Sequence, residues 1–321
     1  MNSIKGSLAK GIKLFAGNAN QGLAQEIAEK LGTTLGKCKI SRFSDGEISV
    51  DIFETVRGCD VFVIQPTCSP VNDNFMELLL MIDAFKRASA KRIFAVMPYY
   101  GYARQDRKAK PREPIAAKLI ADMITVAGAS GVLTMDLHAK QIQGFFDIPV
   151  DHLRAVPVLA EHYLSRHFEG SDLVVVSPDL GSVSRSRSFA KKMNAPIAII
   201  DKRRPKPNHC EVMNIIGDVA GKRAILIDDL MDTGGTFING ANALIEAGAK
   251  EIYACATHGV LSGNCIEKLE NSVIKEMVIT NSIPFPKDAK TTKIRILSIA
   301  EAFAKGIYAI CDDQPMSVFN E

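Results

Sequence analysis

Short apolar runs rich in β-branched residues alternate along the whole chain with stretches of helical periodicity, and this alternation most narrows the possible folds. The runs include Val61–Ile64, Ile93–Met97, Val132–Met135, Leu173–Val176, Ile197–Ile200, Ala224–Ile227, Ile252–Ala256 and Met277–Ile279. Helical patterns lie between them at Gly22–Leu31, Phe75–Ala88, Ile115–Ala127, Val156–His167, Phe237–Ala247 and Ile299–Ile310. In the second of these, Phe75, Leu78, Leu79, Ile82 and Phe85 recur at helical spacing. Strands that are apolar throughout are buried on both faces, so the expected fold is α/β, with parallel sheets flanked by helices.

The pattern also repeats. Ala88-Ser-Ala-Lys-Arg-Ile-Phe-Ala95 matches Ala247-Gly-Ala-Lys-Glu-Ile-Tyr-Ala254 at an offset of 159 residues. A similar offset lays Lys13–Leu31 over Val174–Met193, each a strand, a polar turn and a helix. The offset is about half of the 321 residues, so two similar domains are expected, 1–152 and 153–321, joined near Asp151–Pro157. In open α/β sheets ligands bind beyond the carboxyl ends of the strands, which directs attention to the polar residues after each apolar run.

Composition removes several function classes. A net charge of +3 is too small to argue for nucleic acid, and no apolar run approaches the roughly 20 residues of a membrane span. Met1–Lys13 lacks the apolar core of a signal peptide. Seven cysteines at 38, 59, 68, 210, 255, 265 and 311 form no C-x-x-C, which argues against a disulfide framework and for a reducing, cytoplasmic setting.

The strongest local signal is Ala224-Ile-Leu-Ile-Asp-Asp-Leu-Met-Asp-Thr-Gly-Gly-Thr236. An apolar strand leads into Asp228 and Asp229, then into a turn formed by Asp232, Thr233, Gly234, Gly235 and Thr236, then into a helix. Glycines let backbone N–H groups turn inward, and a helix N-terminus adds partial positive charge, so the turn suits a phosphate. Carboxylates beside it suit sugar hydroxyls or a hydrated Mg²⁺. The plain alternative is a helix start capped by Asp232 or Thr233, but a cap does not require the paired carboxylates.

This element resembles the phosphoribosyl pyrophosphate motif of type I phosphoribosyltransferases and ribose-phosphate pyrophosphokinases. Further segments resemble the second family alone. Arg42-Phe-Ser-Asp-Gly-Glu47 is similar to its ATP loop, as is Pro98–Lys108 followed by Pro111–Ile115. Asp136-Leu-His-Ala139 is similar to its metal-binding segment, and Asp201-Lys-Arg-Arg-Pro205 to its mobile catalytic loop. The resemblance runs in order from about Lys13 to Ala300. It implies two phosphoribosyltransferase-like domains and Mg²⁺-dependent diphosphoryl transfer from ATP to ribose 5-phosphate. It implies an ATP site at Phe43, Asp45, Gly46, Glu47, Arg104 and Gln105, and a ribose 5-phosphate site at Asp228, Asp229 and Asp232–Thr236. It also implies metal binding at His138, Asp179 and Asp136, and catalysis by Lys202 and Arg204. Each piece is chemically apt: Phe43 offers a ring to stack on a base, Asp45 and Glu47 accept hydrogen bonds, and Arg104 pairs with phosphate. Taken singly, the same pieces read as a surface turn, solvated basic loops and a structural histidine. A homo-oligomer, hexameric in the family, and phosphate or ADP effectors are implied by resemblance only.

The rivals are a phosphoribosyltransferase, which needs no ATP loop, and a catalytically silent regulatory homologue, which would lose catalytic segments. One departure bears on the second. Where the family reads Ser-Pro-Asp-x-Gly-Gly-Val and then Arg-Ala-Arg, this chain reads Ser177-Pro-Asp-Leu-Gly-Ser-Val183 and then Arg185-Ser-Arg187. If the position of Ser182 requires positive φ, serine is strained there.

Overall fold

A computed structural model describes residues 11–168, 170–203 and 212–316. The chain forms two compact units, Met1–Arg154 with Ser282–Pro284 and Ser298–Glu321, and Ala155–Asn281 with Phe285–Leu297.

In the first unit β1 (Ile12–Ala16) leads to α1 (Gln21–Lys30), and a hairpin of β2 (Cys38–Arg42) and β3 (Ile48–Ile52) follows. Then come β4 (Asp60–Ile64), α2 (Val71–Arg87), β5 (Arg92–Met97), α3 (Ala116–Ala127), β6 (Gly131–Met135) and β7 (Val150–Leu153). The sheet order is β1-β4-β5-β6-β7, parallel at every pairing, with β2–β3 a separate antiparallel pair. On α2 the buried apolar residues are Phe75, Leu78, Met81, Ile82 and Phe85, one stripe facing the sheet, while the expected Leu79 is only half-buried. Burying each such side chain is worth about 1.5–3 kcal/mol.

The second unit runs α4 (Val156–Leu164), β8 (Leu173–Ser177), α5 (Val183–Lys192), β9 (Ile197–Arg203), β10 (Val212–Ile216), β11 (Arg223–Met231) and α6 (Gly235–Glu246). It continues with β12 (Glu251–Gly259), α7 (Cys265–Glu270), β13 (Ile274–Thr280) and β14 (Ile294–Leu297). Its order is β10-β9-β8-β11-β12-β13-β14, parallel except for β10 against β9. Removing the β9–β10 hairpin leaves β8-β11-β12-β13-β14, the order of the first sheet.

The sequence repeat is therefore a structural one, and the registers agree. Asp60 pairs with Arg92 across β4–β5, and Arg223 with Glu251 across β11–β12. The corner after the helix is shared too: Ser89 has φ +64° and its counterpart Gly248 has φ +88°.

A single cut at 152/153 misses one feature. α8 (Ala300–Cys311) folds back onto the first unit. Its Ala304, Gly306 and Ile307 are buried, and a β-carbon on Gly306 would lie 3.2 Å from Leu133. Small residues permit that approach, and Ser298 Oγ donates to Glu26 at the start of the helix. The described cysteines are all free thiols.

Ser89 has a side chain in a conformation that favours glycine. Ser89→Gly should raise stability by about 0.5–1 kcal/mol, a Tm increase of roughly 1–3 °C. An unchanged or lower Tm in thermal denaturation would contradict the strain.

Candidate active site

Parallel strands bring Arg104–Gln105 and Asp136–His138 past the carboxyl ends of the first sheet and Asp179 and Asp232–Thr236 past those of the second, while Phe43–Glu47 lies on the separate β2–β3 pair. In the first unit, Phe43–Glu47 forms the tip of the β2–β3 hairpin. The Phe43 N–H donates to the Glu47 carbonyl (2.8 Å), the Gly46 N–H to the Phe43 carbonyl (2.9 Å) and the Glu47 N–H to Asp45 Oδ1 (3.1 Å). Gly46 has φ +96°, which glycine adopts without cost. The tight turn leaves the Phe43 ring 59 % exposed, so an apolar plane faces outward from a rigid hairpin. Arg42 braces the tip through the Gly46 carbonyl (3.2 Å) and Asp73 (2.9 Å).

Arg104 and Gln105 are exposed on the loop after β5. Its base is fixed: Tyr100 is buried and its hydroxyl donates to the Ala117 carbonyl (2.8 Å). The Gly101 N–H donates to Thr67 Oγ1 (2.7 Å), and a β-carbon on Gly101 would lie 2.4 Å from the Thr67 carbonyl oxygen. After β6, Asp136 is buried with φ +39°, and its N–H donates to the Leu153 carbonyl (3.1 Å). His138, two residues on, is exposed. Among the described residues no group of three or more His, Cys, Asp or Glu side chains could hold a metal ion.

The second unit holds the denser cluster. Strand β11 carries both carboxylates, as the sequence suggested, and runs past them. It continues to Met231, because β12 pairs with it as far as Met231–Gly259. On the other side its pairing with β8 ends at Leu226–Val176. Asp228 and Asp229 thus lie on a strand whose neighbour on one side has ended, where side chains from the β8–α5 turn meet them. The Ser182 hydroxyl donates to Asp228 Oδ1 (2.6 Å), as does the Asp229 N–H (2.8 Å). Arg185 Nη1 lies 3.4 Å from Asp228 and 3.5 Å from Asp229. Burial pushes the Asp228 carboxyl up to about 7 and the Asp229 charge adds to it, while Ser182 and Arg185 pull the other way. Asp179 is half-buried in the same turn and accepts the Ser182 N–H through Oδ1 (2.9 Å).

Ser182 has φ −90°, so the position carries no left-handed strain. The N-cap of α6 is neither Asp232 nor Thr233. It is Gly234 in the left-handed region at φ +80°, which has no side chain to offer as a cap. The first N–H groups of a helix suit an anion by geometry. Thr233 and Thr236 are exposed beside them, and Asp232 and Gly235 are half-buried. Behind the turn, the N–H of Ser262 donates to the Asp232 carbonyl (3.0 Å), and Cys265 Sγ would lie 3.1 Å from a β-carbon on Gly234.

The motif expected to form a mobile catalytic loop begins inside a strand. Asp201, Lys202 and Arg203 are still in β9, with the backbone of Lys202 opposite Met213. Arg204 lies outside the described residues. Ser182 and Arg185 were not singled out as site residues from sequence. Their signal was the spacing of three residues, which puts both on the first turn of one helix beside the strand-end turn.

The first unit shows what the same turn looks like when closed. Gln65 occupies the place of Asp228 and is fully buried. Its amide accepts the Ala19 N–H (3.0 Å) and donates to Glu77 (2.8 Å). Glu77 also accepts the Asn18 N–H (2.5 Å), so an internal carboxylate fills that turn.

The raised Asp228 carboxyl has a stability consequence. Unfolded, the group ionises near its ordinary value of 3.8, while in the fold it holds its proton to about 7. Stability is therefore lost as pH climbs from about 4 to 7 and levels off above that. Asp228→Asn should raise Tm more at pH 8 than at pH 4. Thermal melts showing a pH-independent difference would refute it.

Comparison with known proteins gives these geometries a family. The N-terminal domain of ribose phosphate pyrophosphokinase matches residues 12–128, and the phosphoribosyl synthetase-associated domain matches 203–320. The chain is 61 % identical over 313 residues to a ribose-phosphate pyrophosphokinase of Clostridium acetobutylicum, covering 97 % of this chain and 98 % of that one. It is 63 % identical over 306 residues to the protein of that name from Caldanaerobacter subterraneus subsp. tengcongensis, covering 95 % and 96 %. The crystal structure of phosphoribosylpyrophosphate synthetase from Mycobacterium smegmatis matches with a TM-score of 0.89 at 44 % identity, over 95 % of this chain and all of that one. With near full-length identity of this order, the chain belongs to the ribose-phosphate pyrophosphokinase family.

Proposed function

We propose that this chain transfers the β,γ-diphosphoryl group of ATP to the anomeric hydroxyl of ribose 5-phosphate, giving 5-phosphoribosyl 1-pyrophosphate and AMP. The observation that carries the reading is the buried Asp228–Asp229 pair on the strand leading to the glycine-capped N-terminus of α6. The N–H groups and hydroxyls of Asp232–Thr236 take the 5-phosphate. Asp228 and Asp229 accept hydrogen bonds from ring hydroxyls, and Arg185 limits their mutual repulsion. Phe43 stacks on adenine, Asp45, Gly46 and Glu47 form the hairpin tip around the nucleoside, and Arg104 with Gln105 meets phosphate.

The donor set suits Mg²⁺. That ion favours one or two carboxylates plus phosphate oxygens and water. Asp179, and Asp136 with His138, are the groups proposed to hold it. When bound, Mg²⁺ neutralises phosphate charge and orients the transferred group. The anomeric oxygen attacks the β-phosphorus in line; that bond forms as the bond from the β-phosphorus to the AMP oxygen breaks. Lys202 and Arg204 neutralise charge on the transferred group and on departing AMP.

A homo-oligomer, hexameric as the family resemblance implies, with phosphate or ADP as effectors and a cytoplasmic location, belongs to the same proposal. An outward apolar stripe on α3 and just before it, with Ile115 37 %, Leu119 58 % and Val126 80 % exposed, supports a subunit contact. No described helix is long and apolar enough to cross a membrane.

AMP should form from MgATP only when ribose 5-phosphate is present. Consumption of the pyrophosphate sugar with a free base, and no AMP, would favour a phosphoribosyltransferase instead. Lys202→Ala should lower turnover roughly 100-fold or more with the Tm unchanged. Wild-type turnover in that variant would remove Lys202 from the mechanism.

A further inference from the structure

Serine is among the best helix N-cap residues because its hydroxyl accepts an N–H from the first turn. Ser182 is the N-cap of α5, yet its side chain makes no such bond. In the first unit the matching N-cap, Asn20, does cap its helix, accepting the Leu23 N–H at 3.2 Å. Ser182 instead turns its hydroxyl across the turn onto Asp228 Oδ1 at 2.6 Å. The residue is 7 % exposed and tied at every polar group. Its N–H donates to Asp179 Oδ1 (2.9 Å), and its carbonyl accepts both the N–H and the hydroxyl of Ser186 (3.0 Å each). The charged groups facing Asp228 are Asp229 on its own strand and Arg185 on α5.

A glycine at 182 would keep the amide and carbonyl bonds and lose only the link to Asp228. The hydroxyl is a short donor fixed from both sides, charge-assisted once Asp228 is ionised, whereas the Arg185 contact at 3.4 Å is long and shared with Asp229. The link therefore fixes where the Asp228 carboxyl sits, relative to a turn that is itself anchored on Asp179.

We propose that Ser182 is a positioning residue: its hydroxyl holds Asp228 in the orientation that receives the pentose hydroxyls, and so sets affinity for the sugar phosphate rather than for the nucleotide. The inference rests on the reading of Asp228 as part of the pentose site, so Asp228→Asn serves as its control. Steady-state kinetics of the full-length protein would vary ribose 5-phosphate and MgATP separately, with a Tm for each variant. Ser182→Ala and Ser182→Gly should raise KM for ribose 5-phosphate about tenfold, as expected for losing one charge-assisted bond, with kcat and KM for ATP within about threefold. Ser182→Thr, which keeps a hydroxyl, should restore KM to within about threefold of wild type. Wild-type KM for ribose 5-phosphate in both Ala and Gly variants would overturn the proposal. So would a fall in Tm with every kinetic constant worsening in parallel, or failure of both variants to fold, since either marks a merely structural serine. If Asp228→Asn leaves that KM unchanged, the pentose-site reading fails instead.

Discussion

The site depends on a mismatch in strand length. β11 is held by β12 over its whole span but by β8 only to Leu226. Had both neighbours been equally long, Asp228 and Asp229 would face packed strands on either side. Had both been short, nothing would hold two carboxylates on a regular backbone against their repulsion. The intermediate case fixes them in the sheet and leaves one flank to the β8–α5 turn, whose Ser182 and Arg185 supply donors. Desolvation and the neighbouring Asp229 charge make Asp228 costly to ionise.

Duplication supplies an internal control. Both units use the same strand order and the same register, so their turns offer the same opportunity. The first unit closes it with the neutral Gln65 and the buried Glu77, satisfied by the Asn18 N–H and by two side-chain amides. The second leaves the turn lined with carboxylates, with the Ser182 hydroxyl turned onto Asp228 rather than onto its own helix. One scaffold therefore carries one polar turn filled by an internal glutamate and one lined by aspartates, and a few side chains decide which.

Much of this was legible before any fold was known. Continuous apolar runs such as Val174–Val176 imply buried parallel strands, and two matched segments at one offset implied duplication. The Asp-Asp…Thr-Gly-Gly-Thr element was readable because glycine and carboxylate each have few reasons to stand there. Less legible were elements without periodicity: the β2–β3 hairpin, and β14, whose Arg295 and Ile296 are exposed. The return of α8 to the first unit was hidden, since a helix pattern names its buried face but not what covers it.

Residue types and their spacing determined the α/β class, the repeat and the chemistry on offer, because burial and backbone propensity act over a few residues at a time. Only tertiary structure decided that Ser182 reaches Asp228 rather than its own helix, that Arg185 spans the acidic pair, and that Gly234 opens α6. Those outcomes turn on hydrogen-bond geometry between strands far apart in sequence, where a difference of one strand pairing selects which donor meets which acceptor.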